Sequence, residues 1–192
     1  MNRHSATRTP VKGDLLIARP YLGETFFNHA VVLLLDVDSA GGLMGLSLNV
    51  PTDMTLYDLI PSWQGGEKIE VFCGGPCDTD RLFVLHILGD EFGGSIEVIP
   101  GLYIGGRIED IVEYVDTGGE VKGKMRFFIG YSGWHSRQLR EELEEETWAL
   151  GHAATPSSLI QGCCIPFWRR ESAKLGVRYR DWMALPTEAE LN

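Results

Sequence analysis

Long apolar runs are missing from this sequence of 192 residues. The longest uninterrupted apolar stretch, residues 30–35, has six residues, whereas a helix that spans a membrane needs about 20. The residues that follow Met1 are polar and do not resemble the apolar core of a secretory signal. These absences predict a soluble, cytoplasmic protein without membrane association.

Cysteine is scarce, and its spacing matches no common redox or metal motif. The cysteines are Cys73, Cys77, Cys163 and Cys164. Three residues separate the first two, so the redox motif C-x-x-C is absent. Cys73, Cys77 and His86 are residue types that zinc uses, but a second paired knuckle is missing. We interpret the cysteines as buried structural thiols and predict neither a metal nor another cofactor.

Positive charge is also in short supply. The sequence has 17 Lys and Arg against 27 Asp and Glu, a formal net charge of −10. Binding to a phosphate backbone depends on Lys and Arg, so this balance argues against direct contact with DNA. The alternative is the basic segment of residues 169–180, which holds five cations and lies among aromatic residues that are able to stack on bases. The segment also fits an amphipathic helix with a solvated basic side.

Signatures of common enzyme classes are absent. Neither the phosphate-binding loop G-x-x-x-x-G-K-[ST] nor the dinucleotide-binding G-x-G-x-x-G occurs. Residues 130–134, GYSGW, resemble the nucleophile elbow G-x-S-x-G, but Trp134 stands where a small residue is required. We interpret Ser132 as a cap or turn residue before a helix and predict that the protein is not an enzyme. An enzyme of a type that these signatures do not describe stays open as an alternative.

Short apolar segments bounded by turn residues dominate the chain and predict strands. The predicted strands are 15–18, 29–37, 43–49, 69–73, 82–88, 95–99, 102–104 and 124–130, with 29–37 and 43–49 forming an antiparallel hairpin. Helices are predicted from 52 or 53 to 60, over 108–115, over 136–150 and over 166–175. Strands and helices do not alternate regularly, which favours one α+β domain over residues 13–192 after a loose arm of residues 1–12.

Three glycine-containing stretches are the most distinctive features of the sequence. They are GLSLNVP at residues 45–51, FCGGP at 72–76 and GYSGW at 130–134. Together with Leu85-His86 and the terminal Leu191-Asn192, they resemble the signatures of the YqgE/AlgH family from residue 13 to the end of the chain. In the first stretch, Val50 replaces the arginine of the family pattern.

The resemblance implies a compact fold with a forked, barrel-like, mostly antiparallel sheet surrounded by helices. It also brings a transcriptional-regulator label, inherited from a member linked to the control of alginate synthesis. That label names a phenotype and no chemistry. Cys77 replaces the valine that usually follows Gly-Gly-Pro in the family, which indicates a packing position.

The candidate site consists of residues from the distinctive stretches. Glycine allows close approach of a ligand, and aromatic residues on turns are common in binding sites. Gly74-Gly75-Pro76 fits a tight turn or a rigid binding rim, and His86 fits a hydrogen-bonded core residue or a functional one. We predict that one groove for a protein segment or small ligand is lined by Asn49, Gly74, Gly75, Pro76, His86, Tyr131, Trp134 and Gln138. Exposed aromatic residues near the tail raise the further hypothesis of a homodimer.

Overall fold

The computed structural model describes residues 8–20, 26–37, 42–60, 68–152 and 155–184. In these ranges the strands are β1 (Asp14–Ala18), β2 (Val31–Val37), β3 (Gly42–Ser47), β4 (Pro51–Thr55), β5 (Glu70–Cys73), β6 (Cys77–His86), β7 (Ser95–Ile99), β8 (Leu102–Gly105), β9 (Met125–His135) and β10 (Trp148–His152). The helices are α1 (Leu56–Leu59), α2 (Ile108–Asp116), α3 (Ser136–Glu144), α4 (Pro156–Gln161), α5 (Cys164–Ser172) and α6 (Arg180–Ala184), with a 3₁₀ turn at Val177–Tyr179.

The long strand β9 creates a fork in the sheet. The strand order is β10-β1-β2-β3-β9-β6-β8-β7, and β4 and β5 form a side branch. The first half of β9 pairs with antiparallel β6 and parallel β5, whereas its last four residues pair with β3. β5 and β3 therefore occupy successive stretches on the same side of β9. This arrangement confirms the predicted α+β fold with a forked, mostly antiparallel sheet.

The strands β1 and β2 are covered on both faces of the sheet. Neighbouring residues of β2 alternate between two apolar clusters: Leu33 packs with Trp168 of α5, whereas Val32 packs with Trp148 and with Leu139 of α3. A third cluster lies between the first half of β9 and α2, around Ile111. A strand buried on both faces needs apolar residues at every position, as residues 31–35 of β2 have.

The segment of residues 136–150, predicted to be one helix, divides into a helix and a strand. α3 ends at Glu144, and Glu146 has a positive φ of 57°, which reverses the chain. Trp148 then begins β10 and pairs with Ala18 of β1. The prediction of helix beyond residue 144 was therefore wrong, because the edge of β1 recruits residues whose apolar spacing also fits a helix.

The helix predicted from residue 52 or 53 was also misplaced. Residues 51–55 form β4, in which the Thr52 hydroxyl donates a hydrogen bond to the Val71 carbonyl at 2.6 Å. The helix α1 is a single turn, whose N-cap is Thr55; the Asp58 carboxylate accepts hydrogen bonds from the Thr55 amide and hydroxyl. Pairing with β5 therefore outweighs the local capping signal.

The C-terminal helices are fastened to the sheet by a buried arginine of β9. The Arg126 guanidinium donates to the Gly162 and Leu159 carbonyls at 2.6 and 3.3 Å and lies 3.8 Å from the centre of the Phe72 ring. Burial lowers the pKa of Arg126 to about 10. The contact fixes the junction of α4 and α5, where the predicted helix of residues 166–175 is observed as α5, two residues earlier at its start and three at its end.

Both ends of the chain include predictions that lie outside the described ranges. These are residues 1–7 of the predicted arm and the terminal Leu191-Asn192; residues 38–41, which connect the two strands of the predicted hairpin, also lie outside the described ranges. Further along the arm, Arg8 donates to both carboxylate oxygens of Asp14 at 2.6 Å, which ties it to β1. None of the described helices is long and apolar enough to cross a membrane.

Candidate ligand groove

An open groove of about 510 Å³ lies over the pairing of β3 with β9. It is lined by Asp36, Gly42, Leu43, Met44, Arg81, Tyr131, Gly133, Trp134, His135 and Gln138. Met44 pairs with Gly133 and Gly42 pairs with His135, so residues of the two strands form its floor. Because side chains alternate along a strand, Tyr131, Gly133 and His135 share one face.

Glycine keeps the floor of the groove low. Gly133 is exposed and lies between Tyr131 and His135 along the strand. A Cβ atom at Gly133 would lie 3.4 Å from Cε2 of Tyr131, which is close to ordinary contact. A larger side chain at this position would therefore occupy the groove without a clash at its Cβ.

An irregularity in β6 carries Arg81 to the rim. Cys77 pairs with Tyr131, and the next pair in the register is Leu82 with Ile129. Five steps along β6 therefore match two steps along β9, so residues 78–81 bulge out of the ladder. The Arg81 guanidinium lies 5.1 Å from the centre of the Phe83 ring and lines the groove.

Three polar side chains of the groove make no polar contact with another described residue. Across the ranges that the structure describes, Arg81, Tyr131 and His135 make no side-chain hydrogen bond or ion pair. In contrast, Trp134 is only 6% exposed, and its indole N–H donates to Glu142 Oε2 at 2.9 Å. Gln138 Nε2 donates to the other oxygen of Glu142 at 2.8 Å. The groove thus combines two restrained side chains with three that are available to a ligand.

The predicted turn at residues 130–134 is part of β9, and the interpretation of Ser132 as a helix cap was wrong. Ser132 is 1% exposed, and its hydroxyl donates to the Gly74 carbonyl at 3.0 Å. The helix that follows begins only at Ser136. The apolar pattern of β9 is interrupted at Gly130. The strand itself continues, because the residues that follow pair with β3.

Gly74 and Gly75 fill the fork of the sheet. The Gly74 amide donates to the Ile129 carbonyl, and the Gly74 carbonyl accepts from the Ser47 amide, both at 2.8 Å. A Cβ at Gly74 would lie 2.3 Å from the Gly130 carbonyl oxygen, and one at Gly75 would lie 2.1 Å from the Tyr131 backbone. The requirement for glycine thus comes from contact between backbones. Pro76, which follows, is exposed but does not line the groove.

Asn49 is a buried clamp between three segments. Its Oδ1 accepts from the Val31 amide at 2.8 Å, and its Nδ2 donates to the His29 and Cys164 carbonyls at 2.9 and 3.1 Å. The side chain is thereby engaged at both ends and only 5% of the residue is exposed. These contacts join the start of β2 to the start of α5.

His86 lies in the interior at the far end of β6. It is fully buried, its Nε2 is 3.0 Å from Ser95 Oγ, and its ring stacks on Tyr103. Burial lowers the pKa of His86 to about 4, so the ring is neutral at pH 7. The residue pairs with Met125, six residues along β9 from Tyr131, or about 20 Å of extended strand.

Of the eight predicted site residues, the structure brings Tyr131, Trp134 and Gln138 to one groove. It places the other five elsewhere: Asn49 and His86 are in the interior, and Gly74, Gly75 and Pro76 are at the fork. Sequence reasoning missed Arg81, because the bulge that exposes it leaves no signal in the local pattern. It also missed Met44, which resembles an ordinary strand residue.

The basic residues of the tail are largely engaged within the protein. The buried Glu171 carboxylate accepts from Arg170 at 3.0 Å and from Lys174 at 2.6 Å, and Arg178 pairs with Glu146. Trp168 and Trp182 are only 2% and 7% exposed, which leaves little of either ring for stacking on bases, whereas Tyr179 is half-buried. Amphipathic packing accounts for this segment.

None of the four cysteines forms a disulfide, and the prediction that they are buried was wrong: Cys73, Cys77 and Cys163 are half-buried and Cys164 is exposed. Cys73 Sγ donates to the Gly75 carbonyl, and burial raises the pKa of this thiol. Among the described residues, no group of three or more His, Cys, Asp or Glu side chains is arranged to hold a metal ion.

Comparison with known proteins identifies relatives along almost the whole chain. The family model described as AlgH-like matches residues 15–180. A UPF0301 protein of Bacteroides fragilis is 38% identical over 183 residues, which cover 95% of this chain and 92% of the relative. A UPF0301 protein of Bacteroides thetaiotaomicron is 37% identical with the same coverage. The names of these relatives state no activity.

Two solved structures have a similar fold. A crystal structure of a Corynebacterium diphtheriae protein superposes with a TM-score of 0.72 at 20% identity and covers 96% of this chain and 95% of its own. The solution structure of the AlgH protein from Pseudomonas aeruginosa superposes with a TM-score of 0.66 at 28% identity, over 98% of this chain and all of its own.

Proposed function

This chain belongs to the AlgH-like family, and we propose that it is a non-enzymatic binding module of the cytoplasm whose groove over β3 and β9 takes a protein segment or small ligand. The observation that carries the proposal is that three polar side chains in one groove, those of Arg81, Tyr131 and His135, have no hydrogen-bond or ion-pair partner among the residues that the structure describes. Ligand sites commonly combine apolar walls with a few polar groups of this kind.

Two buried groups that resemble catalytic residues support binding rather than catalysis. The Ser132 hydroxyl is directed at the Gly74 carbonyl and not at a base. The His86 ring is packed between Tyr103 and Phe92. A nucleophile and its base need to lie within hydrogen-bond distance of each other, and Ser132 has no such base among the described residues. His86 Nε2 lies 3.0 Å from Ser95 Oγ, but His86 is fully buried and the Ser95 hydroxyl donates to the Phe92 carbonyl at 2.9 Å.

A second hollow, of about 570 Å³, follows one side of α2. Its lining consists of Ile60, Ile108, Glu109, Val112, Glu113, Asp116 and Thr117. These residues offer apolar contact and carboxylates but neither a cation nor an aromatic ring. The groove over β3 and β9 has the wider range of recognition chemistry, which favours it as the site.

The proposal is tested by filling the groove. Gly133→Leu places a side chain on the floor of the groove. The control, Ser157→Leu, adds the same side chain at an exposed position of α4. Screening small molecules and short peptides against labelled protein by NMR should give ligands that shift the amides of Met44, Gly133 and Gln138. We expect Gly133→Leu to abolish these shifts and Ser157→Leu to retain them. Ligands that bind both variants equally would show that the groove is not the site.

The same samples test the alternative function, in which a transcriptional regulator contacts DNA through residues 169–180. Contacts with a phosphate backbone weaken steeply as salt increases. Duplex DNA titrated at low salt should leave the amides of α5 and α6 unshifted in wild type and in both variants. Salt-sensitive shifts at Arg169 and Arg180 would move the function to the basic segment instead.

A further inference from the structure

Arg81 is the cationic group of the groove, and no described carboxylate forms an ion pair with it. It stands on the bulge of residues 78–81 and is exposed, with Asp36 as the one carboxylate in the lining. A guanidinium offers two parallel N–H groups that match the two oxygens of a carboxylate. Tyr131 adds a hydroxyl donor and His135 an imidazole to the same groove.

The charge of the surroundings selects for a singly charged anion. The protein carries a net charge of −10, and Asp36 lies in the groove itself. A phosphate dianion would be repelled by both, and one guanidinium neutralises only half of its charge. A carboxylate is the anion whose charge and shape Arg81 matches.

Apart from Gln138, the remaining side chains of the lining are apolar or aromatic. Met44 and Tyr131 are partly buried and pack against the main core cluster, and Leu43 and Trp134 lie in the second cluster. The side chains of Leu43 and Trp134 are buried on the opposite face of the sheet. Met44, Tyr131 and the low floor at Gly133 therefore favour a flat or branched apolar body in contact with the sheet. A ligand that places such a body on the floor can extend its carboxylate towards the rim.

We propose that the groove binds a monocarboxylate with an aromatic or branched apolar body, with the carboxylate on Arg81 and the body on Met44 and Tyr131. This inference rests on the proposed function of the groove and specifies its ligand. The overall negative charge of the protein disfavours polyanions at the same place. The preference therefore comes from repulsion as well as from attraction.

The test uses probes that differ only in the charged group. Phenylacetate and phenylacetamide, and acetyl-Gly-Phe as free acid and as amide, are titrated into the full chain at constant ionic strength and followed by NMR. We expect each acid to bind more tightly than its amide, with saturable shifts at Gly133 and Gln138. Loss of a hydrogen-bonded charge pair weakens binding about tenfold or more, so the acid and amide should differ by at least that factor.

Variants assign the preference to one residue. Arg81→Gln should bring the acid to the affinity of the amide, and Arg81→Lys should recover part of the difference because it retains charge without the planar fork. Arg140→Gln removes the same charge from α3 outside the groove lining and should change neither affinity. Amide spectra of the variants outside the groove report on their folding.

Three results would overturn the inference. They are equal affinity of acids and amides, an acid preference that survives Arg81→Gln, and binding of inorganic phosphate in the absence of carboxylate binding. Equal affinity with shifts that Gly133→Leu abolishes would reject the carboxylate and leave the groove as the site. Shifts that Gly133→Leu leaves intact would reject the proposed function itself.

Discussion

Trp134 and Trp148 lie edge to face, with ring centres 5.8 Å apart and planes at 87°, and both donate their indole N–H to the same oxygen, Oε2 of Glu142. Trp134 lies near the end of β9 and Trp148 begins β10. Glu142 on α3 therefore joins two strands that are not neighbours in the sheet. Its other oxygen restrains Gln138, which links this contact to the groove.

Removal of Glu142 should destabilise the fold. Glu142→Ala leaves two indole donors without their acceptor, and we expect the free energy of unfolding to fall by about 1–3 kcal/mol. Urea denaturation measures the change, with Glu144→Ala, an exposed residue of the same helix, as the control. If both variants lose the same stability, the shared contact with the tryptophans contributes nothing.

Substitution by alanine should lower the stability of the fold strongly at Gly74 and hardly at all at Gly133. A Cβ at Gly74 meets a carbonyl oxygen at 2.3 Å, whereas one at Gly133 meets a ring carbon at 3.4 Å. Gly74→Ala must separate β5 from β9 and should cost about 3 kcal/mol or more. Gly133→Ala should remain within about 0.5 kcal/mol of wild type. Thermal and urea denaturation of the pair measure both changes, and a stable Gly74→Ala protein would contradict the role of Gly74 in the fork.

The stability of the fold should decrease as the pH falls from about 6.5 to 4. Burial lowers the pKa of His86 from 6.5 to about 4 in the folded protein, so the unfolded chain binds more protons between these values. Linkage then predicts a loss of up to about 3 kcal/mol at the acid end of this window. Urea denaturation at pH 4.5, 5.5 and 7 measures this loss.

His86→Phe is the matched variant for this pH dependence, because it keeps an aromatic ring beside Tyr103 without a titrating group. Between pH 7 and 4.5 this variant should lose less stability than wild type. The difference between the two losses should equal the contribution assigned to His86. His152→Gln changes an exposed histidine, whose side chain is 82% accessible, and should retain the dependence of wild type. Parallel curves for His86→Phe and wild type would assign the acid sensitivity to other groups.

Local sequence patterns predicted most strands but not their full extent. The apolar run before Gly130 indicated a strand, yet β9 continues to His135 because residues 132–135 pair with β3. Residues 148–150 satisfy a helical spacing and still form β10, since β1 offers them an edge. Apolar periodicity reports which side chains are buried, whereas the partner of a strand is chosen by contacts distant in sequence.

Only the part of the candidate site that lies in one short segment could be predicted from the sequence, because the rest depends on contacts distant in sequence. Tyr131, Trp134 and Gln138 belong to one short segment, and the aromatic residues beside glycine marked it as distinctive. Arg81 reaches the groove only through the bulge in β6, and Met44 only through the pairing of β3 with β9. Asn49 stands out in the sequence, but its side chain is buried and both ends of its amide bond to backbone groups of the fold, which leaves it unavailable to a ligand.

The sequence by itself determined the α+β class, the hairpin of β2 and β3, and membership of the AlgH-like family, because each depends on local patterns or on motifs in a fixed order. Only the tertiary structure decided which residues share a groove. Pairing of β9 with β3 and the bulge of β6 bring Met44, Arg81 and Gly133 together from three separate segments. Such contacts depend on shape and backbone pairing across long sequence separations, and short-range patterns do not encode them.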